Sequence, residues 1–140
     1  MKDIKVIDNF LDEKDFGRIK SMLNGSLFPW YYSPTVVAQN KDNQFQFCHM
    51  FYQHCKETSD FINVLNPVLY KLNPTALIRI KANLLLKTID PVIHDYHADF
   101  DWKHKWWSAI FFINTNNGKT LFKNIDKEII SKENRIVIFD

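Results

Sequence analysis

The hydrophobic pattern of the first residues predicts a β-strand followed by a helix. Ile4 and Val6 alternate with polar residues, as in a short strand with one buried face. Apolar residues then recur at helical spacing over Glu13–Leu23, and Asp12 is placed to act as the N-cap. Three apolar residues are predicted to form the buried face of this helix: Phe16, Ile19 and Leu23.

The middle of the chain predicts another strand and another helix. The stretch QFQFCHMFY, residues 44–52, alternates like a strand. Residues 57–72, ETSDFINVLNPVLYKL, have apolar positions at helical spacing, and Pro67 is expected to bend or interrupt this helix. Residues 1–75 are therefore predicted to be helical and mixed in structure.

From residue 76 onward the pattern is that of extended strands. TALIRIKANLLLKT, residues 75–88, predicts a long strand with Arg79, Lys81 and Asn83 on one face. KWWSAIFFIN, KEIIS and ENRIVIFD predict further strands, and Asn117-Gly118 predicts a hairpin turn. Such short strands favour an antiparallel sandwich or barrel. We expect one α+β domain over 1–140, mainly β, with the β part at 76–140.

Composition and charge restrict the possible partners and locations. Lys and Arg number 18 against 16 Asp and Glu, and this net charge of +2 gives no argument for a nucleic acid or an anionic membrane as partner. No apolar run reaches the ~18 residues of a membrane span, and the N-terminus has no signal-peptide core. Two cysteines are too few for a disulfide scaffold. These features predict a cytoplasmic protein.

The stretch YHADF contains candidate metal ligands, His97 and Asp99. In a strand, residues two positions apart point to the same face, so an imidazole and a carboxylate would project together. A third ligand from another strand would complete the 2-His-1-carboxylate triad of non-haem Fe(II) oxygenases. The H-x-D pattern alone is common, and by itself it is better explained by a surface His beside a surface Asp.

The order of motifs over residues 76–140 is more specific. RIKANLLLKT, HDYHADF, WWSAIFFINTNNGKTLF and NRIVIFD follow one another in an arrangement that resembles the 2-oxoglutarate/Fe(II)-dependent dioxygenases, in particular their prolyl-4-hydroxylase-like group. The resemblance implies a double-stranded β-helix, the cupin-like jelly roll, with the N-terminal helices packed on it. It also implies Fe(II) and 2-oxoglutarate as cofactors, with His97 and Asp99 as two iron ligands.

The same resemblance places a second His and a basic residue for 2-oxoglutarate, usually Arg, after the strand NRIVIFD, where this sequence ends. We therefore expect an incomplete domain that lacks its last strands and is inactive by itself. His94 and His104 are weaker candidates for the third ligand. Asn83 is the better candidate for a contact with 2-oxoglutarate, and Lys81 and Arg79 are further candidates, although an exposed polar strand face explains all three as well. Four aromatic residues are candidates for the pocket wall or for the core: Phe100, Trp102, Trp106 and Trp107.

The expected reaction is hydroxylation of a peptide, a protein or an amino acid. One alternative is a non-catalytic cupin-like binding module. Another is a zinc site in CHMFYQHC, although two buried free thiols explain its cysteines better. The possible zinc ligands are Cys48, His49, His54 and Cys55. Open sheet edges left by missing strands are expected to favour a homo-oligomer.

Overall fold

The computed structural model describes residues 3–36, 44–98, 106–123, 125 and 127–140. The strands are β1 (Ile4–Ile7), β2 (Tyr31–Ser33), β3 (Gln46–Gln53), β4 (Lys56–Glu57), β5 (Arg79–Leu84), β6 (Ser108–Phe112), β7 (Lys119–Leu121), β8 (Glu128–Ile130) and β9 (Arg135–Phe139). The helices are α1 (Glu13–Leu23), a 3-10 helix η1 (Asp60–Leu65) and α2 (Asn66–Leu72). The fold is thus mixed α/β and mainly β, with antiparallel sheets.

Contacts divide the chain into two compact units. The first combines Met1–Asp12 with Asp90–Asp140, and the second is Glu13–Ile89. Each unit has its own sheet: β1-β9-β6 in the first, and β2-β3-β4 with β5 also paired to β3 in the second. The first unit also contains the two-stranded β7-β8 sheet. This strand order establishes antiparallel sheets but does not by itself establish a jelly roll.

Strand β9 is the centre of the sheet in the first unit. Val6 of β1 and Ile110 of β6 lie opposite Val137, and both neighbouring strands run antiparallel to β9. Ile136 and Val137 point to opposite faces, yet both are 0 % exposed. A strand buried on both faces requires a continuous apolar run, which explains why β9 does not alternate with polar residues.

One hydrophobic cluster joins β9 to the β7–β8 pair. Phe122, Ile129 and Val137 are buried together, and Phe122 meets Phe139 edge-on with 5.1 Å between ring centroids. Burying a side chain of this size contributes about 1.5–3 kcal/mol. The cluster therefore holds the β7–β8 pair against the main sheet of its unit.

The turn before β9 is fixed by the buried residue Asn134. Its side-chain Oδ1 accepts a hydrogen bond from the Leu11 N–H at 2.9 Å, and its Nδ2 donates to the Leu11 carbonyl at 2.8 Å. Its backbone N–H donates to Phe112 at 2.9 Å, and its carbonyl accepts from the Phe10 N–H at 2.8 Å. Asn134 therefore ties the segment after β1 to the turn before β9.

An ion-pair network reinforces the same connection. The Asp8 carboxylate accepts hydrogen bonds from Arg135 Nε at 2.6 Å and from Lys132 Nζ at 3.0 Å. The Arg135 hydrogen bond, followed by the Lys132 hydrogen bond, holds the pKa of the Asp8 carboxyl well below its usual range. The same contact with Asp8 raises the pKa of Arg135.

The second unit is built around β3. Phe47 and Cys48 pair with β2 and also with β5, so β2 and β5 lie on opposite sides of β3. Phe28 packs against Phe51 of β3 and Phe61 of η1, with ring centroids 5.9 and 5.2 Å apart. This aromatic cluster connects the sheet to the 3-10 helix.

The helix predicted over Glu13–Leu23 is confirmed at both ends, and its three predicted core residues are buried. The helix predicted over 57–72 is instead η1 followed by α2. Pro67 lies in the first turn of α2, where a residue without an N–H is tolerated, so the predicted interruption is confirmed. None of the helices in the described part of the chain combines the length and apolar character that a membrane crossing requires.

The hairpin turn predicted at Asn117-Gly118 is wrong. These residues precede β7, while β6 pairs with β9 and β7 pairs with β8. The Gly118 N–H donates to the Asn116 side chain at 2.7 Å, and the Gly118 carbonyl accepts from the Ser131 N–H at 3.0 Å. A Cβ at Gly118 would lie 2.7 Å from Asn116 Oδ1. The absence of a side chain at Gly118 therefore allows the Asn116 side chain to approach the backbone closely.

The long strand predicted over 75–88 is shorter than expected. Strand β5 covers only Arg79–Leu84, and Leu85 and Leu86 continue outside it as exposed residues. Among the described strands β5 pairs with β3 alone, so its second edge is unpaired within the described chain. Self-association through such an edge stays a prediction.

Candidate functional site

His97 lies in a segment without helix or strand, residues 85–98, and its side chain is exposed. The prediction that it projects from a strand is therefore wrong. Pro91 has no N–H to donate to a strand ladder, which disfavours regular pairing here. The same-face argument for a strand consequently does not apply to His97.

The ring of His97 nevertheless has a defined hydrogen-bonding partner. Its Nδ1 lies 3.3 Å from the backbone carbonyl oxygen of Asp95. A carbonyl accepts but does not donate, so this contact favours the tautomer with the proton on Nδ1. The lone pair of Nε2 is then available for a divalent metal, and a backbone carbonyl is a common partner of the other nitrogen in such ligands.

Asp99 lies outside the described residues, as do Phe100, Trp102 and His104. His94, the other candidate for a third ligand, is half-buried. Within the described ranges no group of three or more His, Cys, Asp and Glu side chains is arranged to hold a metal ion. The described residues therefore contribute His97 as one candidate donor, while the role of Asp99 stays a prediction.

The candidates for 2-oxoglutarate binding lie together on β5. Arg79, Lys81 and Asn83 alternate along the strand and so share a face, as predicted from the sequence. Arg79 and Lys81 are half-buried and Asn83 is exposed. They belong to the second compact unit, whereas His97 belongs to the first. The strand thus brings two cations and an amide side by side.

The zinc alternative fails at His49. This residue is buried at 4 % exposure, with Nδ1 2.8 Å from the Pro29 carbonyl oxygen and Nε2 2.7 Å from Ser59 Oγ. Nδ1 must donate to the carbonyl, and Nε2 can then accept from the Ser59 hydroxyl. Ser59 Oγ also accepts from the Phe61 N–H at 3.2 Å. Both nitrogens of His49 are thus engaged in a structural network.

The sequence predicts that both cysteines are buried free thiols. Both are free, as expected, but Cys48 is only half-buried and Cys55 is exposed. Cys55 follows His54 in the two-residue loop between β3 and β4, and both have positive φ, 60° and 54°. An exposed turn explains why the prediction of burial fails for Cys55.

The two described tryptophans of the expected pocket wall are in different environments. Trp106 is half-buried and Trp107 is exposed. Their proposed role as a pocket wall stays a prediction. No sequence pattern predicts the hydrogen-bond network of His49, because its members come from β3, a loop and the N-cap of η1.

No family model, no curated protein and no solved structure matches the chain.

Proposed function

We propose that the chain carries the metal-binding residues of a non-haem Fe(II)/2-oxoglutarate-dependent dioxygenase built on a double-stranded β-helix. The observation that carries the proposal is the order of motifs from Arg79 through His97 and Asp99 to Arg135. Antiparallel pairing of β6 with β9 and of β3 with β5 supports it, because antiparallel strands are the building elements of a jelly roll. The proposed substrate is a peptide, a protein or an amino acid.

The proposed metal ligands are the Nε2 atom of His97 and the carboxylate of Asp99. The Nδ1 contact of His97 with Asp95 favours the tautomer that such a ligand requires. Fe(II) held by these two side chains would supply, together with O2 and 2-oxoglutarate, the oxidising power for hydroxylation of the substrate, with succinate and CO2 as the products of 2-oxoglutarate. A third protein ligand remains unassigned.

Strand β5 is proposed to attract 2-oxoglutarate through its charge, and this part of the proposal concerns the second compact unit alone. 2-Oxoglutarate is a dianion, and Lys81 and Arg79 place two cations on one strand face beside the amide of Asn83. Both cationic residues are half-buried, and a charge in such a position attracts a carboxylate more strongly than a charge in bulk water, because screening is weaker there. Lys81 is the better candidate for this contact, since Arg79 already has an interaction within the protein.

Cosubstrate binding tests this proposal. The Fe(II)-loaded chain is titrated with 2-oxoglutarate without oxygen, and the visible charge-transfer absorption of the chelate is recorded. We expect the band in the wild-type chain, and we expect Asp99→Ala and His97→Ala to abolish it. The matched control is His54→Ala, an exposed histidine in the β3–β4 turn, which should retain the band.

Identical spectra for all four proteins would contradict the assignment of His97 and Asp99. Succinate formation after oxygen is admitted provides the second readout. Formation of the chelate without succinate would fit both the non-catalytic binding module and the expectation that this chain is inactive by itself, whereas succinate that depends on both His97 and Asp99 would support the oxygenase.

A further inference from the structure

A groove lies beside the β7–β8 pair in the first compact unit. Its volume is about 480 Å³, within the range of roughly 300–1,000 Å³ that is typical of small-molecule sites. Its apolar surface and its cations come from six residues: Tyr96, Leu121, Phe122, Lys123, Ile125 and Lys127. None of these residues belongs to the proposed iron or 2-oxoglutarate contacts.

The floor of the groove is part of the hydrophobic core. Phe122 is a member of the buried cluster with Ile129 and Val137, and Ile125 packs against the same cluster. Leu121 is 40 % exposed and Tyr96 is 57 % exposed, so apolar surface and a phenol group remain open to a ligand. A floor already fixed by the core has little conformational entropy left to lose on binding.

The charge of the described lining is positive. Glu128 also lines the groove, but its two carboxylate oxygens accept hydrogen bonds from Lys119 Nζ at 2.8 and 2.9 Å. Lys123 and Lys127 are exposed. Within the described part of the chain, no ion-pair partner is present for either lysine. Two ammonium groups therefore stand beside an apolar floor.

We propose that this groove binds a small carboxylate with an aromatic or aliphatic body. The apolar body would lie on Leu121 and Phe122, and the carboxylate would reach the ammonium groups of Lys123 and Lys127. Inorganic phosphate is less well matched, because it has no apolar body to cover Leu121 and Phe122. A protein partner needs a much larger surface, typically about 800 Å² on each side.

Titration calorimetry with 2-naphthoate tests the proposal on the intact chain in the presence of EDTA, which removes any bound metal. The neutral isostere 2-naphthamide is the ligand control. The test variant is Lys123→Gln/Lys127→Gln, and the matched control is Lys56→Gln/Lys87→Gln, which changes two exposed lysines outside the groove lining.

We expect saturable binding of 2-naphthoate that becomes about tenfold weaker in Lys123→Gln/Lys127→Gln and is unchanged in the control. 2-Naphthamide should bind more weakly than 2-naphthoate to the wild-type chain. Leu121→Asn, which changes an exposed side chain, should weaken the binding of both ligands. Circular dichroism verifies that each variant retains its fold.

Absence of saturable binding, or equal affinities in the two double-lysine variants, would overturn the proposal. A His97→Ala variant separates this site from the proposed iron site. It should bind 2-naphthoate like the wild type, because His97 does not line the groove. Loss of 2-naphthoate binding in His97→Ala alone would show that the ligand binds at His97, and this result would also overturn the groove assignment.

Discussion

At the scale of single residues, Asn134 connects the segment after β1 with the end of β6 and the start of β9. It is buried, has a positive φ of 55°, and its amide pairs with both backbone groups of Leu11. We expect Asn134→Ala to lower the free energy of unfolding by about 2–4 kcal/mol, because two buried backbone groups lose their partners and alanine is strained at this φ. Urea denaturation at neutral pH measures this loss.

A matched control distinguishes the hydrogen bonds from the backbone strain. Asn9 also has a positive φ, 50°, but it is exposed. Asn9→Ala should cost only about 1–2 kcal/mol, the strain contribution. Asn134→Gly avoids that strain, because glycine tolerates a positive φ, but it still lacks the two side-chain hydrogen bonds to Leu11. A free energy of unfolding equal to that of the wild type in Asn134→Gly would show that these hydrogen bonds contribute nothing.

The same scale shows where sequence patterns are sufficient and where they are not. Phe16, Ile19 and Leu23 were identified as core residues because helical periodicity alone determines which face is buried. His49 is a possible zinc ligand by residue type, whereas in the structure its ring contacts Pro29 and Ser59. Those partners are 20 and 10 positions away in the sequence, and residue type alone does not identify them.

At the scale of secondary-structure elements, the β3–β4 hairpin contains a strained turn. Gln53 pairs with Lys56, and the two loop residues His54 and Cys55 both have positive φ. This conformation favours Asn-Gly. We expect His54→Asn/Cys55→Gly to raise the free energy of unfolding by about 1 kcal/mol, because glycine accepts a positive φ without a steric penalty.

Thermal and urea unfolding measure this gain, and His54→Asn/Cys55→Ala provides the comparison. The alanine variant removes the thiol but leaves a β-carbon at a positive φ, so it should gain much less. Equal stabilities for the glycine and alanine variants would show that backbone strain at residue 55 is not the cause.

The connection between β1 and β9 predicts a pH dependence of stability. The folded pKa of Asp8 lies below the unfolded value of about 3.9, so the folded state binds fewer protons there than the unfolded state. The stabilisation is complete above about pH 5 and is lost as the pH falls through about 4 toward the folded pKa. Because the Asp8 side chain is 39 % exposed, we expect only about 1 kcal/mol after solvent screening.

Urea denaturation of the wild type and of Asp8→Asn from pH 7 to pH 3 measures this contribution. The difference between the two proteins should be largest at pH 7 and should shrink below pH 4. Glu57→Gln is the control, because Glu57 is an exposed carboxylate on β4. A difference for Asp8→Asn that stays constant over the whole range would exclude this carboxylate as the source.

Element pairing was harder to predict than element position. The strand positions of β8 and β9 agree with KEIIS and ENRIVIFD, because short apolar runs between polar turns mark strands. Asn117-Gly118 suggested a hairpin, whereas Gly118 instead pairs with Ser131 beyond β8. The local turn preference was overridden by these longer-range hydrogen bonds.

At the scale of the whole molecule, the sequence predicts the class of the fold better than its topology. The predominance of β-strands can be predicted from the short apolar runs. The division into two compact units depends instead on the pairing of β1 with β9. That pairing joins opposite ends of the chain, and no local pattern specifies it. The groove was missed for a related reason, since Tyr96 is distant in sequence from Lys123 and Lys127.

The central claim is that His97 and Asp99 hold a divalent metal. The most direct measurement is calorimetric titration of the metal-free chain with Fe(II) under anaerobic conditions. We predict one ion per chain, with affinity at least about tenfold lower in His97→Ala and in Asp99→Ala, and unchanged in His54→Ala. Equal affinities in the wild type and the first two variants, or loss of binding in His54→Ala instead, would contradict the claim.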